Sequence, residues 1–146
     1  CFSSVFVLFR YFAGHRFEID GVLCYSMEGF LQSLKFENKD IQESVCKLIG
    51  SKAKFRGKHK KWWRTQTLYW RGVEIKRNSQ EYQNLLDKAY QCMYDQSESF
   101  RDALKASMNS TLTHSMGKKN KNETILTVSE FCSRLTNLRD YGKVSF

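Results

Sequence analysis

A mostly helical α+β fold in one domain over residues 1–146, with two or three short β-hairpins, is predicted by three observations. Apolar residues recur at helical spacing behind recognisable caps, short β-prone stretches turn at Asp20-Gly21 and Arg71-Gly72, and 146 residues suffice for one substantial core. Apolar content of 41% with 14% aromatics supplies that core. The chain has no proline, so its helices must end through Gly, Asn and charge.

The first apolar run, residues 5–9, is far short of the ~20 residues that span a bilayer and reads as a buried strand. The stretch 17–26 alternates apolar and polar residues about Asp20-Gly21 and reads as a tight hairpin. A helix follows in which Met27, Phe30, Leu31 and Leu34 form the apolar stripe. Glu28, Gln32 and Lys35, at i, i+4 and i+7, line the opposite one. Asp40 and Glu43 form a capping box for the next helix, with Ile41, Val45 and Leu48 facing inward and Gly50 ending it. Residues 67–76 are β-prone around Arg71-Gly72 and predict a second hairpin. Asn78 or Ser79 caps a long helix that buries Tyr82, Leu85, Leu86, Ala89, Tyr90 and Met93. Ser97 starts another, with Phe100 and Leu104 inward. Residues 109–122 are polar and lysine-bearing and read as a mobile loop. A last helix opens with a Thr127 to Glu130 capping box and buries Phe131, Leu135 and Leu138.

A net charge of +9 implies attraction to nucleic acid or to phosphorylated small molecules. The cysteines at 1, 24, 46, 92 and 132 are odd in number and widely spaced, without the C-x-x-C or paired-His spacing of a zinc site. With no secretory leader in evidence they read as buried thiols of a reducing cytoplasm. No cofactor, metal or membrane partner is implied. The chain begins at Cys1, so native residues are expected to precede it.

The order Asp20-Gly21, Ser26, Glu28, Gln32, Lys35-Phe36 resembles the NADAR (YbiA-like) superfamily, in which a D-G turn precedes a helix carrying E-x-x-x-Q-x-x-K-F. Weaker similarities extend this over residues 17 to 140: 53–57 as a small-residue and Gly segment, the helix through Ala89, Tyr94, Arg101, Leu104 and Ala106, and the closing Leu138-Arg139. The last third departs from that family, having Met116-Gly117 and 130–133 where its members carry Trp-Gly and Asn-x-Leu-Gly. The resemblance implies hydrolysis of an N-glycosidic bond in an ADP-ribosylated or ribosylated base. Glu28 would then stabilise the sugar cation and activate water, as glycosidase carboxylates do, and its place in a first helical turn favours a negative charge. Ser26 and Gln32 would bind the ligand, Gln32 orienting ribose hydroxyls or water. Lys35 would hold a phosphate or steady Glu28, and His114, near an acidic position of the family, would protonate the leaving base. The plain alternative is a solvated helix face with a surface Lys–Glu pair.

Trp62, Trp63, Tyr69 and Trp70 stand among Lys58, Lys60, Lys61, Arg64 and Arg71, a mixture suited to stacking on bases while cations track phosphates. Trp63 and Trp70 are therefore candidate ligand contacts, and Lys58, Lys60, Lys61 and Arg64 candidate nucleic-acid contacts. The competing reading is that part of these aromatics fills the core beneath a basic loop. Arg77, just ahead of a helix N-terminus, is a candidate phosphate contact. The compact, lysine-rich chain is also similar to small proteins of tailed phages, for which removal of a host-applied ADP-ribose mark from DNA is the expected purpose. A non-catalytic nucleotide binder and a basic nucleic-acid-associated protein are the rival expectations.

Overall fold

The described residues open with a hairpin, β1 Phe17–Ile19 against β2 Val22–Cys24, paired Phe17 with Cys24 and Ile19 with Val22. The computed structural model describes residues 14–107 and 118–145. The expected strand at 5–9, Cys1, His114, Met116-Gly117 and most of the predicted 109–122 loop lie outside those residues. Asp20 and Gly21 take φ of 51° and 80°, the left-handed pair that matches the twist of a two-residue hairpin. Phe17, Ile19, Val22 and Cys24 point inward, while Glu18 and Leu23 face out.

Helix α1, Met27–Ser33, starts at Ser26, whose hydroxyl accepts from Gly29 N–H at 2.9 Å. Its expected apolar stripe is buried as predicted. Helix α2, Lys39–Cys46, crosses it at very close range. The cap of α2 is Asn38, accepting from Ile41 N–H at 3.0 Å, in place of the expected Asp40 box. Ile41 is exposed and Gln42 buried, the reverse of the helical reading. The reason lies in backbone groups contributed by other segments. Gln42 Nε2 donates to the carbonyls of Ser33, Phe36 and Tyr69, and its Oε1 accepts from Arg71 N–H at 3.0 Å. One amide thus satisfies polar groups that would otherwise be stranded where α1 ends and the second hairpin begins.

Gly50, expected to end α2, instead precedes a helix absent from the sequence reading, α3 Ser51–Gly57. A 3₁₀ turn, Trp62–Arg64, leads into β3 Thr67–Trp70 and β4 Val73–Lys76, which turn at Arg71-Gly72 as expected. The two hairpins form separate two-stranded sheets. Tyr69 N–H donates to Leu34 O at 2.8 Å and docks β3 on the end of α1. Phe30 meets Phe17 edge-on at 6.1 Å and Trp70 at 5.1 Å, so one aromatic of α1 joins both hairpins.

Helix α4, Gln80–Gln96, is capped by Ser79 and buries every residue of its predicted face. Helix α5, Glu98–Ala106, is capped by Ser97, and α6, Val128–Tyr141, by the complete Thr127–Glu130 box. The result is a small single-domain α+β fold with two short antiparallel hairpins, its core shared by both hairpins, α1, α4, α5 and α6. Among the described residues, Cys24 and Cys46 are free and buried, whereas Cys92 and Cys132 are half-buried. No helix among the described residues is long and apolar enough to cross a membrane.

Candidate functional site

The stripe Glu28, Gln32, Lys35 does not face open water, because α3 lies over it. Gln32 is only 7% exposed, and Glu28 and Lys35 are half-buried. Gln32 Nε2 donates to Glu28 Oε1 at 2.9 Å, fixing the carboxylate one turn below. Lys35 Nζ donates to Gly57 O at 3.4 Å, at the C-terminal end of α3. The amide oxygen Gln32 Oε1 is buried and has no hydrogen-bond partner, an arrangement costly enough to call for explanation. Glycine at 57 is what permits the approach: a Cβ there would stand 1.9 Å from Gln32 Oε1.

Burial holds the Lys35 ammonium below its ordinary pKa, and the Glu28 charge opposes that shift. Burial pushes the Tyr90 phenol of α4 upward, Arg134 opposes that shift, and Glu28 adds a smaller contribution to it. A carboxylate, an orphaned amide oxygen and a destabilised ammonium are therefore gathered on one helix face. Chemically, such a group can accept a proton from water, receive hydroxyl donors, and offer a cation to a developing negative charge.

Ser26 is adjacent to this trio, its hydroxyl accepting from Gly29 N–H and donating to Leu48 O at 2.8 Å. It positions Glu28 by capping α1, and at 1% exposure it lies beneath the protein surface. Trp70 likewise serves the fold, buried against Phe30 with its Nε1 donating to Asp20 Oδ2 at 2.9 Å. Asp20 also accepts from Lys88, whose hydrogen bond, followed by that of Trp70, holds its carboxyl below the usual range. Trp70 and the buried Trp62 thus follow the competing core reading, Trp70 turned inward by β3 and Trp62 by the 3₁₀ turn.

Arg77 differs most from its expected role. It is completely buried, with Nη1 and Nη2 on Glu130 at 3.1 and 2.6 Å and Nε donating to Thr124 O at 2.9 Å. Its guanidinium stacks on Tyr82 at 4.8 Å, and no donor is directed outward for a phosphate. Glu130 accepts further bonds from Gln83 and from Thr127 N–H, and these donors outweigh desolvation to bring its carboxyl down to about 2. Arg77 is the buried counter-ion of the α6 capping box.

The predicted basic contacts stay on the surface. Lys58, Lys60, Lys61 and Arg64 are exposed, as is Trp63 at 50%, and no acidic residue interrupts residues 51–73. Arg56 and Lys60 both lie over the Phe36 ring, 4.6 and 4.9 Å from its centre. Since Gly57 adjoins Gln32 and Lys35, the basic segment borders the Glu28 stripe. Sequence reading missed Phe55, 69% exposed with its ring edge against His59 at 5.8 Å. Its signal was an aromatic residue flanked by Lys54 and Arg56. Among the described residues, no group of three or more His, Cys, Asp or Glu side chains could hold a metal ion.

Two comparisons locate the chain among known proteins. It is 38% identical over 133 residues to a protein of Enterobacteria phage T4 named "Uncharacterized 17.1 kDa protein in Gp30-rIII intergenic region", the match covering 88% of this chain and 86% of that one. No solved structure matches it significantly. The family model for Bacteriophage protein GP30.3 matches residues 6–140, and the chain, with its half-buried Glu28 stripe and basic rim, belongs to that bacteriophage family.

Proposed function

We propose that this phage protein is an N-glycosidic hydrolase of the host cytoplasm that removes ADP-ribose, or a ribose phosphate, from a modified nucleobase, with ADP-ribosylated DNA as its substrate in counter-defence. The reading rests on the resemblance of the Glu28, Gln32, Lys35-Phe36 spacing to NADAR proteins. The observation that carries it is the Glu28–Gln32 pair at 2.9 Å beside a buried, unpartnered amide oxygen. In this reaction the bond from the anomeric carbon to the base nitrogen breaks, its electrons leaving with the base. Water adds to the anomeric carbon and gives its proton to Glu28. Gln32, bonded to Glu28 at 2.9 Å, holds the carboxylate in place for that step. The Lys35 ammonium, its proton loosened by burial, offsets negative charge on the departing base and supplies the proton the base takes up.

The test is release of ADP-ribose from an ADP-ribosylated oligonucleotide, followed chromatographically. Glu28→Gln is expected to lower turnover by about 10²-fold or more, the ordinary contribution of a positioned base. Absence of turnover by the unaltered protein, or unchanged turnover in Glu28→Ala, overturns the proposal. Stable retention of uncleaved ADP-ribosyl nucleotide would support the binding-only alternative instead.

A further inference from the structure

Two basic segments far apart in sequence are fastened side by side. Gln66 lies just after the 3₁₀ turn, and its Nε2 donates to Trp63 O at 2.9 Å and to Asn122 O at 3.0 Å. Asn78 Nδ2 reaches Asn122 Oδ1 at 3.4 Å from the other side. The turn that carries Lys118, Lys119 and Lys121 is itself held in place. Lys118 O accepts from Val128 N–H at 3.1 Å, and Asn120 Oδ1 accepts from Asn122 N–H at 2.9 Å. All three lysines are exposed, and Glu123 is the one acid in residues 118–123. On the other side of the Gln66 clamp stand Lys58, Lys60, Lys61 and Arg64, also exposed.

Exposed aromatics accompany these cations. Trp63 is 50% exposed with the Arg64 guanidinium 5.5 Å from its ring centre, and Phe55 is more exposed still. Exposed phenyl and indole rings cost hydration without stabilising the fold, so their placement inside a stretch free of acids calls for a partner with both flat apolar faces and negative charge. Duplex nucleic acid presents phosphates but keeps its base faces stacked away. Single strands present both.

We infer that this face, built from the 55–64 segment and the 118–121 turn, binds single-stranded nucleic acid, with bases stacked on Trp63 and Phe55 and the backbone tracked by both lysine groups. The inference stands apart from the hydrolase reading, since it requires no chemistry at Glu28.

The experiment is fluorescence anisotropy with an unmodified labelled oligonucleotide of about 15 nucleotides, as a single strand and as a duplex, across a salt series. The single strand is expected to bind about tenfold or more tighter than the duplex, and Trp63→Ala and Phe55→Ala each to weaken it about tenfold while leaving the salt slope unchanged. Replacing Lys118, Lys119 and Lys121 together by Gln should reduce the magnitude of that slope by about two. Equal or tighter duplex binding, full affinity in Trp63→Ala, an unaltered slope in the triple variant, or no binding at all overturns the inference. Glu28→Gln should bind as the unaltered protein does. Binding without ADP-ribose release would therefore remove the hydrolase and leave this surface, whereas release without strand binding would do the opposite.

Discussion

The backbone of Gly57 rests directly on the Gln32 side chain, so that a Cβ at 57 would meet Gln32 Oε1 at 1.9 Å and Gln32 Cβ at 3.2 Å. The obstacle is largely the far end of a flexible side chain. Gly57→Ala is accordingly expected to push the Gln32 amide off Glu28 while changing stability by no more than about 1 kcal/mol, since alanine regains helix propensity. Gly29 offers the contrast, because a Cβ there would stand 2.5 Å from Leu48 O and 2.9 Å from Cys46 O. Those are backbone atoms of a packed neighbour, and Gly29→Ala should cost about 2 kcal/mol or more. Paired denaturant titrations and ADP-ribose release assays check both, the first variant losing activity at near-normal stability and the second losing stability.

Trp70 and Trp63 separate core from surface. Trp70→Ala removes an aromatic packed edge-on against Phe30 and the hydrogen bond it gives Asp20, at an expected cost of about 3–5 kcal/mol. Trp63→Ala should change stability by less than about 0.5 kcal/mol. Thermal melts of the two variants decide, and equal losses would refute the assignment.

Acid stability should depend on Glu130. Its folded carboxyl lies near 2 against an ordinary 4.5, so its contribution is fully present above pH 4.5 and is lost as pH falls toward 2. About 3 kcal/mol is involved on linkage grounds. Arg77→Ala, which leaves that carboxylate buried without its cation, should cost about 3–5 kcal/mol at neutral pH. Arg77→Met with Glu130→Met should recover much of the loss and flatten the profile between pH 4.5 and 2, as followed by circular dichroism.

Lys35 predicts a slope of the same sign at high pH. Burial keeps its folded pKa below the usual 10.5, so the unfolded chain binds more protons in the interval between the two values. Its charged form costs stability below the folded pKa, and that cost is relieved as pH rises toward 10.5. Lys35→Met should therefore be at least as stable as the parent at pH 7 and lose the rise in melting temperature through the alkaline range. A variant that is less stable at pH 7 would contradict the burial argument.

Much of the fold was legible because its signals are local. Asp20-Gly21 specifies a turn through left-handed φ values, Ser79 and Ser97 announce helices through their hydroxyls, and Thr127 with Glu130 closes a box within one turn. Helix α3 was illegible, since seven residues dense in lysine carry neither an apolar period nor a side-chain cap, and it persists by packing on α1 and α2. The α2 face was misassigned for a related reason. Periodicity counts apolar side chains, whereas Gln42 is buried by the carbonyls of Ser33, Phe36 and Tyr69.

The Glu28 stripe shows where the boundary falls. Sequence by itself determined that Glu28, Gln32 and Lys35 share one face of a helix begun by Ser26, because 3.6 residues per turn and a capping hydroxyl leave little choice. Tertiary structure alone decided that this face is covered, that Arg77 pairs inward with Glu130, that Trp70 belongs to the core, and that Gln66 joins the two lysine segments. Each of those outcomes depends on which distant backbone arrives within a few ångströms, and burial and pairing energies are set by that arrival, not by neighbours in the chain.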